Sequence, residues 1–375
     1  MGIHELSKVI GDHAAEAMSE HQTSQYFGRK VAVDASTFLY QFLVSIRQAE
    51  GAATLTDATG ASTAHLIGLV ARTVHLCSIG VKPVYVFDGA PPTLKSGELA
   101  KRSARAAEAR EKLAALQESE TADAEELAKY AKRTTRVTRQ QSDEAKKLLE
   151  LMGIPVVQAP CEAEAQCAAM AKAGLVWGVA SEDMDALPLG STILLRHMTA
   201  SESKKLPVQE IHLDKVLQGL DMDMKQFIDL CILLGCDYCD TIKGIGRKRA
   251  VELIQKHKCI ENVLASLDKT KYPTPESFPF DEVRELFANP PVTDPATLKL
   301  VWKEPDREGL IEFLVKEKGF NEERLKGQIE KLSKARKTPT QGRMTEFFKA
   351  LPSNPPAKRP APKDAKKSPS PKKRK

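Results

Sequence analysis

Five short runs of apolar or small residues in this 375-residue chain end in acid: KVAVD closes on Asp34, VYVFD on Asp88, APCEAEA carries Glu162 and Glu164, GVASEDMD carries Asp183 and Asp185, and LLGCD closes on Asp237. Residues 31–33 and 84–87 are β-branched, aromatic or small. They are too short and continuous for amphipathic helices and read as buried parallel strands. In an open α/β sheet, groups just past the carboxyl ends of the strands face one crevice, so acids far apart in sequence can converge there. Seven gathered carboxylates repel one another. Hard divalent cations with oxygen ligands relieve that repulsion, Mg²⁺ in particular being held by carboxylates, water and substrate phosphate. Two such ions about 4 Å apart suit hydrolysis of a phosphodiester.

Each acid alone has a local alternative, because an Asp after a strand often caps a helix or sits in a loop. Spacing favours the metal site. In an extended segment Asp183 and Asp185 point to one face. Glu162 and Glu164, as an i,i+2 pair, share no helix face, but Pro160 suggests a helix start, where first-turn side chains diverge less from a site beyond the terminus.

Alternating strand and helix patterns from residue 31 to 193 predict an α/β fold, with helices over 37–49 and 62–79 and strands over 175–180 and 192–195. Residues 95–139 are rich in Ala, Lys, Arg and Glu and read as helices standing away from the core. After Asp237 the chain turns mostly helical, with a Pro-rich loop over 272–280 and helix to about Lys334. From Thr338 onward Pro, Lys, Ser and Ala dominate, a composition that cannot bury a core, and disorder is expected.

Charge divides the same way. The whole chain has 56 Lys and Arg against 50 Asp and Glu; residues 334–375 hold fourteen against two, leaving 42 against 48 in the body. A net acidic body still suits nucleic acid if cations offset the acid cluster and local basic patches meet phosphate. One such patch is IKGIGRKR over 242–249, where Gly244 and Gly246 open a turn onto a helix N-terminus, a site for phosphate, beside Lys248 and Arg249. The seven cysteines include one CxxC, Cys236 and Cys239, without a second pair for zinc, so they read as core or near-core thiols in a reducing compartment. The apolar stretch 66–81 is too short and too charged to span a bilayer, so no membrane role is expected.

Taken together, GIHELSKVI (2–10), FGRKVAVDAS (27–36), KPVYVFDGAPPTLKSGELAKR (82–102), APCEAEAQCA (159–168), SEDMDALPLG (181–190), LLGCDYCD (233–240) and IKGIGRKRAVELI (242–254) make the chain resemble the eukaryotic flap endonucleases, structure-specific 5′ nucleases of the XPG superfamily. The resemblance covers essentially the whole length. It implies a PIN-like nuclease core with a mostly parallel twisted sheet flanked by helices, a helical arch, a helix-two-turn-helix element and a disordered C-terminal tail. The expected divisions are 1–106 and 124–260 for the core, 95–139 for the arch, 227–256 for the hairpin element, 261–335 for a C-terminal helical part and 336–375 for the tail.

The same resemblance implies that Asp34, Asp88, Glu162, Glu164, Asp183, Asp185 and Asp237 bind two Mg²⁺, that Lys95 and Arg102 contact the scissile phosphate, and that a K⁺ ion sits at the hairpin turn. It implies DNA contacts at Gly2, Tyr40, Arg47, Arg72, Glu162, Gly235, Asp237, Gly244, Gly246, Lys248 and Arg249. Tyr40 also reads as a core residue beside Phe38 and Phe42, and Lys95 and Arg102 as members of a solvated helix. The implied reaction is cleavage at the base of a 5′ flap, with 5′–3′ exonuclease activity, in replication and long-patch base excision repair. Ala90 stands where the family often has Lys, and Arg247 where it often has Pro.

In the tail, Gln341, Met344, Phe347 and Phe348 (341–348) look like the motif that docks on the sliding clamp, proliferating cell nuclear antigen. The chain is expected to be a monomer by itself, with up to three copies per trimeric clamp. Lys358-Arg359 and the closing Lys372-Lys373-Arg374-Lys375 read as a nuclear import signal, with a mitochondrial fraction left open, and Ser368 and Ser370 precede prolines as phosphorylation candidates. Two rivals remain at this level. One is a clamp-tethered DNA-binding adaptor whose acids merely cap helices; the other is a Mg²⁺ phosphatase, against which Asp34-Ala35-Ser36 lacks a second Asp.

Overall fold

The sheet is built from strands whose alternate residues feed two cores. The computed structural model describes residues 2–47, 63–117, 123–200, 206–275 and 277–337. Seven strands, β1 (Met18–His21), β2 (Lys30–Asp34), β3 (Lys82–Phe87), β4 (Val156–Gln158), β5 (Gly178–Ala180), β6 (Ile193–Arg196) and β7 (Val208–His212), lie in the order β1-β7-β6-β5-β2-β3-β4. β6, β5, β2, β3 and β4 run parallel, and β7 and β1 add antiparallel pairs at one end. Because side chains alternate faces, Ala32, Val84, Val86 and Val179 point into one apolar cluster, while Val31, Val33, Tyr85 and Phe87 point into the other. Full burial of one such Val or Phe contributes roughly 1.5–3 kcal/mol, so both faces need helices.

Those helices are α1 (Leu6–His13), α2 (Ala35–Arg47), α3 (Ala64–Ser78), α4 (Ser96–Gln117), α5 (Ala124–Arg133), α6 (Arg139–Leu151), α7 (Ala163–Lys172), α8 (Leu213–Leu220), α9 (Met224–Leu234), α10 (Arg247–His257), α11 (Ile260–Ser266), α12 (Phe280–Ala288), α13 (Arg307–Leu310), which continues as a π-helical stretch Ile311–Glu317, and α14 (Glu322–Lys337). Buried residues of α1, α7, α8 and α9 join the first cluster, and those of α2, α3, α6 and α14 the second. The result is the expected α/β sandwich of helix, sheet and helix. No helix among the described residues is long and apolar enough to cross a membrane.

α4 and α5, the segment expected to form the arch, pack on each other: of the 22 residues of α4 only Ala106 and Ala109 are buried, and Lys101 and Arg102 reach across to Asp240 and Asp237. α9 and α10 flank the GIG turn as a helical hairpin. α14 runs to Lys337, past the boundary expected at 335, because Leu325, Ile329 and Leu332 bury one face of it. Sequence reasoning overlooked β1, β4 and β7. Strand β5 begins at Gly178, three residues after the expected start, and α3 begins at Ala64. Gln341, Met344, Phe347, Phe348 and the basic runs of the tail lie outside the described residues.

Candidate active site

In the order β6-β5-β2-β3-β4 the chain leaves β2 toward β3 and later returns on its other side with β5, and this reversal opens a crevice at the carboxyl ends of β2 and β5. Asp34 ends β2, Asp88 follows β3, and Ser181 and Asp183 follow β5. Asp34 is buried, with Oδ1 accepting from the Thr37 N–H at 3.0 Å and Oδ2 from the Ser181 hydroxyl at 3.0 Å. Burial, and then repulsion from Asp88, push its carboxyl up to about 6. Asp88 Oδ1 accepts from the Ala163 N–H at 2.8 Å, tying β3 to the first turn of α7.

Glu162 is the N-cap residue of α7 and Glu164 lies in its first turn. The helix therefore starts at Ala163, three residues beyond Pro160, and the two glutamates diverge because they straddle its boundary. Burial pushes Glu164 well above the usual carboxylate range, and repulsion from Asp34, Asp183 and Asp88 adds to it. Asp183 and Asp185 occupy a 3₁₀ turn, Met184–Ala186, instead of an extended segment. Asp183 caps that turn by accepting from the Asp185 N–H at 3.2 Å, so a local hydrogen bond replaces the expected period-two alternation. Asp185 is buried and raised by burial, Asp183 and Asp237, and its Oδ1 has no hydrogen-bond partner.

The cationic side comes from the arch. Lys95 Nζ pairs with Glu162 Oε1 and lies 3.2 Å from Asp237 Oδ2. Arg102 reaches the same Asp237 oxygen at 2.6 Å while its Nε holds Glu98. Lys95 sits in the 3₁₀ turn before α4, not in the helix, yet both cations meet one carboxylate. Tyr238, which sequence reasoning missed, is buried and donates its hydroxyl to Glu162 Oε2 at 2.5 Å. The signal lay in its place between Asp237 and Cys239. Ser181 was likewise missed, two residues before Asp183.

Gly2 closes the crevice from the N-terminus. Its φ is +72°, and a Cβ there would lie 1.9 Å from Asp183 Oδ1 and 2.1 Å from Asp185 Oδ1, so no side chain fits. Gly235, at φ +109°, ends α9 where a Cβ would meet Thr241 at 2.5 Å and His4 at 2.7 Å. The His4 N–H donates to the Gly235 carbonyl at 3.0 Å, binding the N-terminus to the Asp237 turn.

Other expected contacts fall into separate places. Tyr40 is half-buried on α2. Arg72 on α3 stacks over Phe38 and Phe42, 5.2 and 5.0 Å from the ring centroids, and lines a cavity of about 650 Å³. Arg47 ends α2, and its side chain lies outside the described residues. At the hairpin, Gly246 is the N-cap of α10 without a side-chain cap, Lys248 is exposed, and Arg249 stacks on Tyr272 while donating to its hydroxyl. Gly244 lies against the same Tyr272 ring. Arg247 pairs with Asp12 of α1 at 3.3 Å, so its charge is partly committed inside the protein.

Among the described residues no three His, Cys, Asp or Glu side chains close tightly enough to hold an ion as they stand. The arrangement still fits hard cations. Its donors are all carboxylate oxygens, four of the acids are driven toward the neutral form by burial and mutual repulsion, and a buried Asp185 oxygen is orphaned. Divalent charge satisfies each of these conditions. Lys95 and Arg102 hold Glu162 and Asp237 at the edge of the cluster.

Family models for the XPG N-terminal domain and the XPG I-region match residues 1–109 and 153–237. Flap endonuclease 1 of Aedes aegypti is 52% identical over 375 residues, covering 100% of this chain and 97% of the relative. Flap endonuclease 1 of Bos taurus is 54% identical over 369 residues, covering 98% and 96%. Among solved structures, the flap endonuclease-1 from Methanococcus jannaschii aligns with a TM-score of 0.66 at 36% identity, covering 87% of this chain and 98% of that one. The catalytic core of Rad2 in complex with DNA substrate aligns with a TM-score of 0.68 at 26% identity, covering 88% and 100%.

Proposed function

The chain belongs to the flap endonuclease family of XPG nucleases, and from that premise we propose that its seven strand-end carboxylates hold two Mg²⁺ ions for cleavage at the base of a 5′ flap. It is a structure-specific DNA nuclease, dependent on divalent metal, that hydrolyses phosphodiester bonds in replication and repair. Membership in the family removes the adaptor and phosphatase readings. The observation that carries the two-ion proposal is the convergence of the buried Asp34 and Asp185 and the half-buried Glu164 and Asp183, all with raised pKa values, beside Asp88, Glu162 and Asp237.

Bound there, the ions would supply Lewis-acid charge for attack by water and for the departing oxygen. The protein's own groups do the rest. Lys95 and Arg102 project from the arch onto Asp237, where fixed cations can stabilise charge developing on the scissile phosphate. Tyr238 fixes the orientation of Glu162. The uncapped N-terminus of α10, with Lys248 and Arg249, offers N–H groups and positive charge to the duplex backbone without base readout, and a K⁺ ion would sit at the turn before it.

The finer assignments follow. The products carry 5′-phosphate and 3′-hydroxyl ends, a 5′–3′ exonuclease activity accompanies flap cleavage, and the settings are Okazaki fragment maturation and long-patch base excision repair. Residues 341–348 dock on the sliding clamp, up to three monomers per trimer, and the basic tail directs the protein to the nucleus; support for both is the pattern of Gln341, Met344, Phe347, Phe348 and the terminal Lys-Arg runs.

The test is cleavage of an end-labelled 5′-flap junction beside single strand and plain duplex, for the native chain and Asp183→Ala, with Mg²⁺ or EDTA. A single cut near the junction, absent in EDTA and in the variant, is expected. A variant that cuts as well as the native chain would overturn the assignment of the acids.

A further inference from the structure

The turn that carries Asp237 also carries two thiols that the cleavage chemistry does not use. Cys236 and Cys239 face each other across an isolated antiparallel bridge with Sγ atoms 3.7 Å apart, and both are half-buried. Cys77, Cys161, Cys167 and Cys231 are buried, and Cys259 lies half-buried at the start of α11. Residues opposite each other in an antiparallel bridge have Cα atoms roughly 4.5–5.5 Å apart, inside the span of roughly 4.4–6.8 Å that a disulfide bridges. The backbone of this turn thus already holds two half-buried thiols at a separation a covalent bond can close.

The residues between them are the ones the site needs. Asp237 is held by Lys95 and Arg102, and Tyr238 donates to Glu162. The start of the turn is tied to the N-terminal segment through the His4 N–H and the Gly235 carbonyl. A bond that draws the sulfurs from 3.7 Å to about 2.05 Å tightens the loop around Asp237 and Tyr238 while its start stays fixed. Any backbone shift that the closure requires is then taken up at those two residues.

We propose that Cys236 and Cys239 form a disulfide with peroxide as oxidant, reversible by thiols, which pulls Asp237 and Tyr238 out of the acid cluster and turns off DNA cleavage. In the first step one thiol sulfur attacks the O–O bond of the peroxide ROOH, becoming a sulfenic acid as ROH leaves. In the second, the other thiol attacks that sulfur, the S–S bond forms, and its proton leaves with the hydroxyl as water. The two sulfurs lose two electrons in all and the O–O bond accepts them. Exchange with two external thiols returns both cysteines and yields the external disulfide. The bond itself is independent of the metal-site proposal; only its effect on cleavage rests on Asp237 and Glu162 serving the reaction.

The test treats the full chain with hydrogen peroxide, alkylates it, maps the cysteines by mass spectrometry and assays 5′-flap cleavage in parallel. Expected is a linked Cys236–Cys239 peptide, lighter by two hydrogens and closed to alkylation, with cleavage lowered by about tenfold or more and restored by dithiothreitol. Cys236→Ser and Cys239→Ser, with the corresponding Ala variants should either serine variant fold poorly, should cleave normally before peroxide and keep that activity after it. Cys259→Ser should stay sensitive. Absence of the linked peptide, or an equal loss of cleavage in the Ser and Ala variants, overturns the proposal. A linked peptide with unchanged cleavage overturns the switch alone if Asp237→Asn is inactive, and overturns the reading of Asp237 as well if that variant still cuts.

Discussion

Replacing Asp34 by Asn removes a buried charge and keeps its shape. Oδ1 accepts the Thr37 N–H at the start of α2 and Oδ2 the Ser181 hydroxyl. Asn serves that first role about as well as Asp, and its amide can donate to the serine oxygen in place of the second. In the native chain burial, then Asp88, raises the carboxyl from 3.8 to about 6. Between those values the folded chain holds a proton that the unfolded chain has released. Stability from this group is therefore greatest at low pH, falls as pH rises through the window, and the whole cost is present above about 6. A rise of about two pH units at roughly 1.4 kcal/mol per unit gives a cost near 3 kcal/mol. In EDTA at about pH 7.5, Asp34→Asn should thus be more stable than the native chain by about 3 kcal/mol, with the gap closing toward pH 4. Urea unfolding followed by circular dichroism across that range measures it. Mg²⁺ should narrow or reverse the gap, because a ligand of the folded state stabilises it by mass action and the variant has lost a donor. A variant no more stable than the native chain in EDTA at neutral pH, or a gap that stays constant with pH, would refute the reasoning.

Lys95→Ala should slow single-turnover flap cleavage by roughly 10²–10³ with DNA binding, read by anisotropy, largely kept; Arg102→Ala should cost less, since Arg102 is half exposed and touches only one acid of the cluster. An unchanged rate for Lys95→Ala would remove it from the mechanism. Gly2→Ala should leave the melting temperature close to native while lowering cleavage by about tenfold or more, because its Cβ would enter the space of Asp183 and Asp185; full activity would place the N-terminus elsewhere. Asp229→Ala should lose about 3 kcal/mol in urea unfolding, the lower end for a broken buried ion pair, because Arg284 keeps Glu261 and Asp281 while α11 loses the bond from the Ile260 N–H. A loss under about 1 kcal/mol would show that pair to be idle. Removing residues 338–375 should leave cleavage of a short flap substrate near native and abolish its stimulation by the sliding clamp; stimulation that survives would move the docking site into the body.

The strand-end acids were legible because the two facts that place them are local. Residues 31–33 and 84–87 must be strands buried on both faces, and parallel strands buried on both faces deliver their carboxyl ends to one edge. What each acid does there was not legible. Glu162 became an N-cap and Asp183 the cap of a 3₁₀ turn because each met a neighbouring backbone or a distant partner. The contacts that orient the site join residues 67, 76 and 135 positions apart, Lys95 to Glu162, Tyr238 to Glu162 and Arg102 to Asp237, which no short window contains. β1, MSEH, and β4, VVQ, escaped for a different reason: one is polar, the other three residues long, and both are edge strands shaped by the neighbour they join. The difference has an energetic meaning. Strands and cores can be read because each residue there agrees with the fold, whereas the acid cluster opposes it: burial and like charge raise Asp34, Glu164, Asp183 and Asp185 together. Selection for stability alone would disfavour those four, so their joint presence marks a place among the described residues where folding free energy was given up for chemistry.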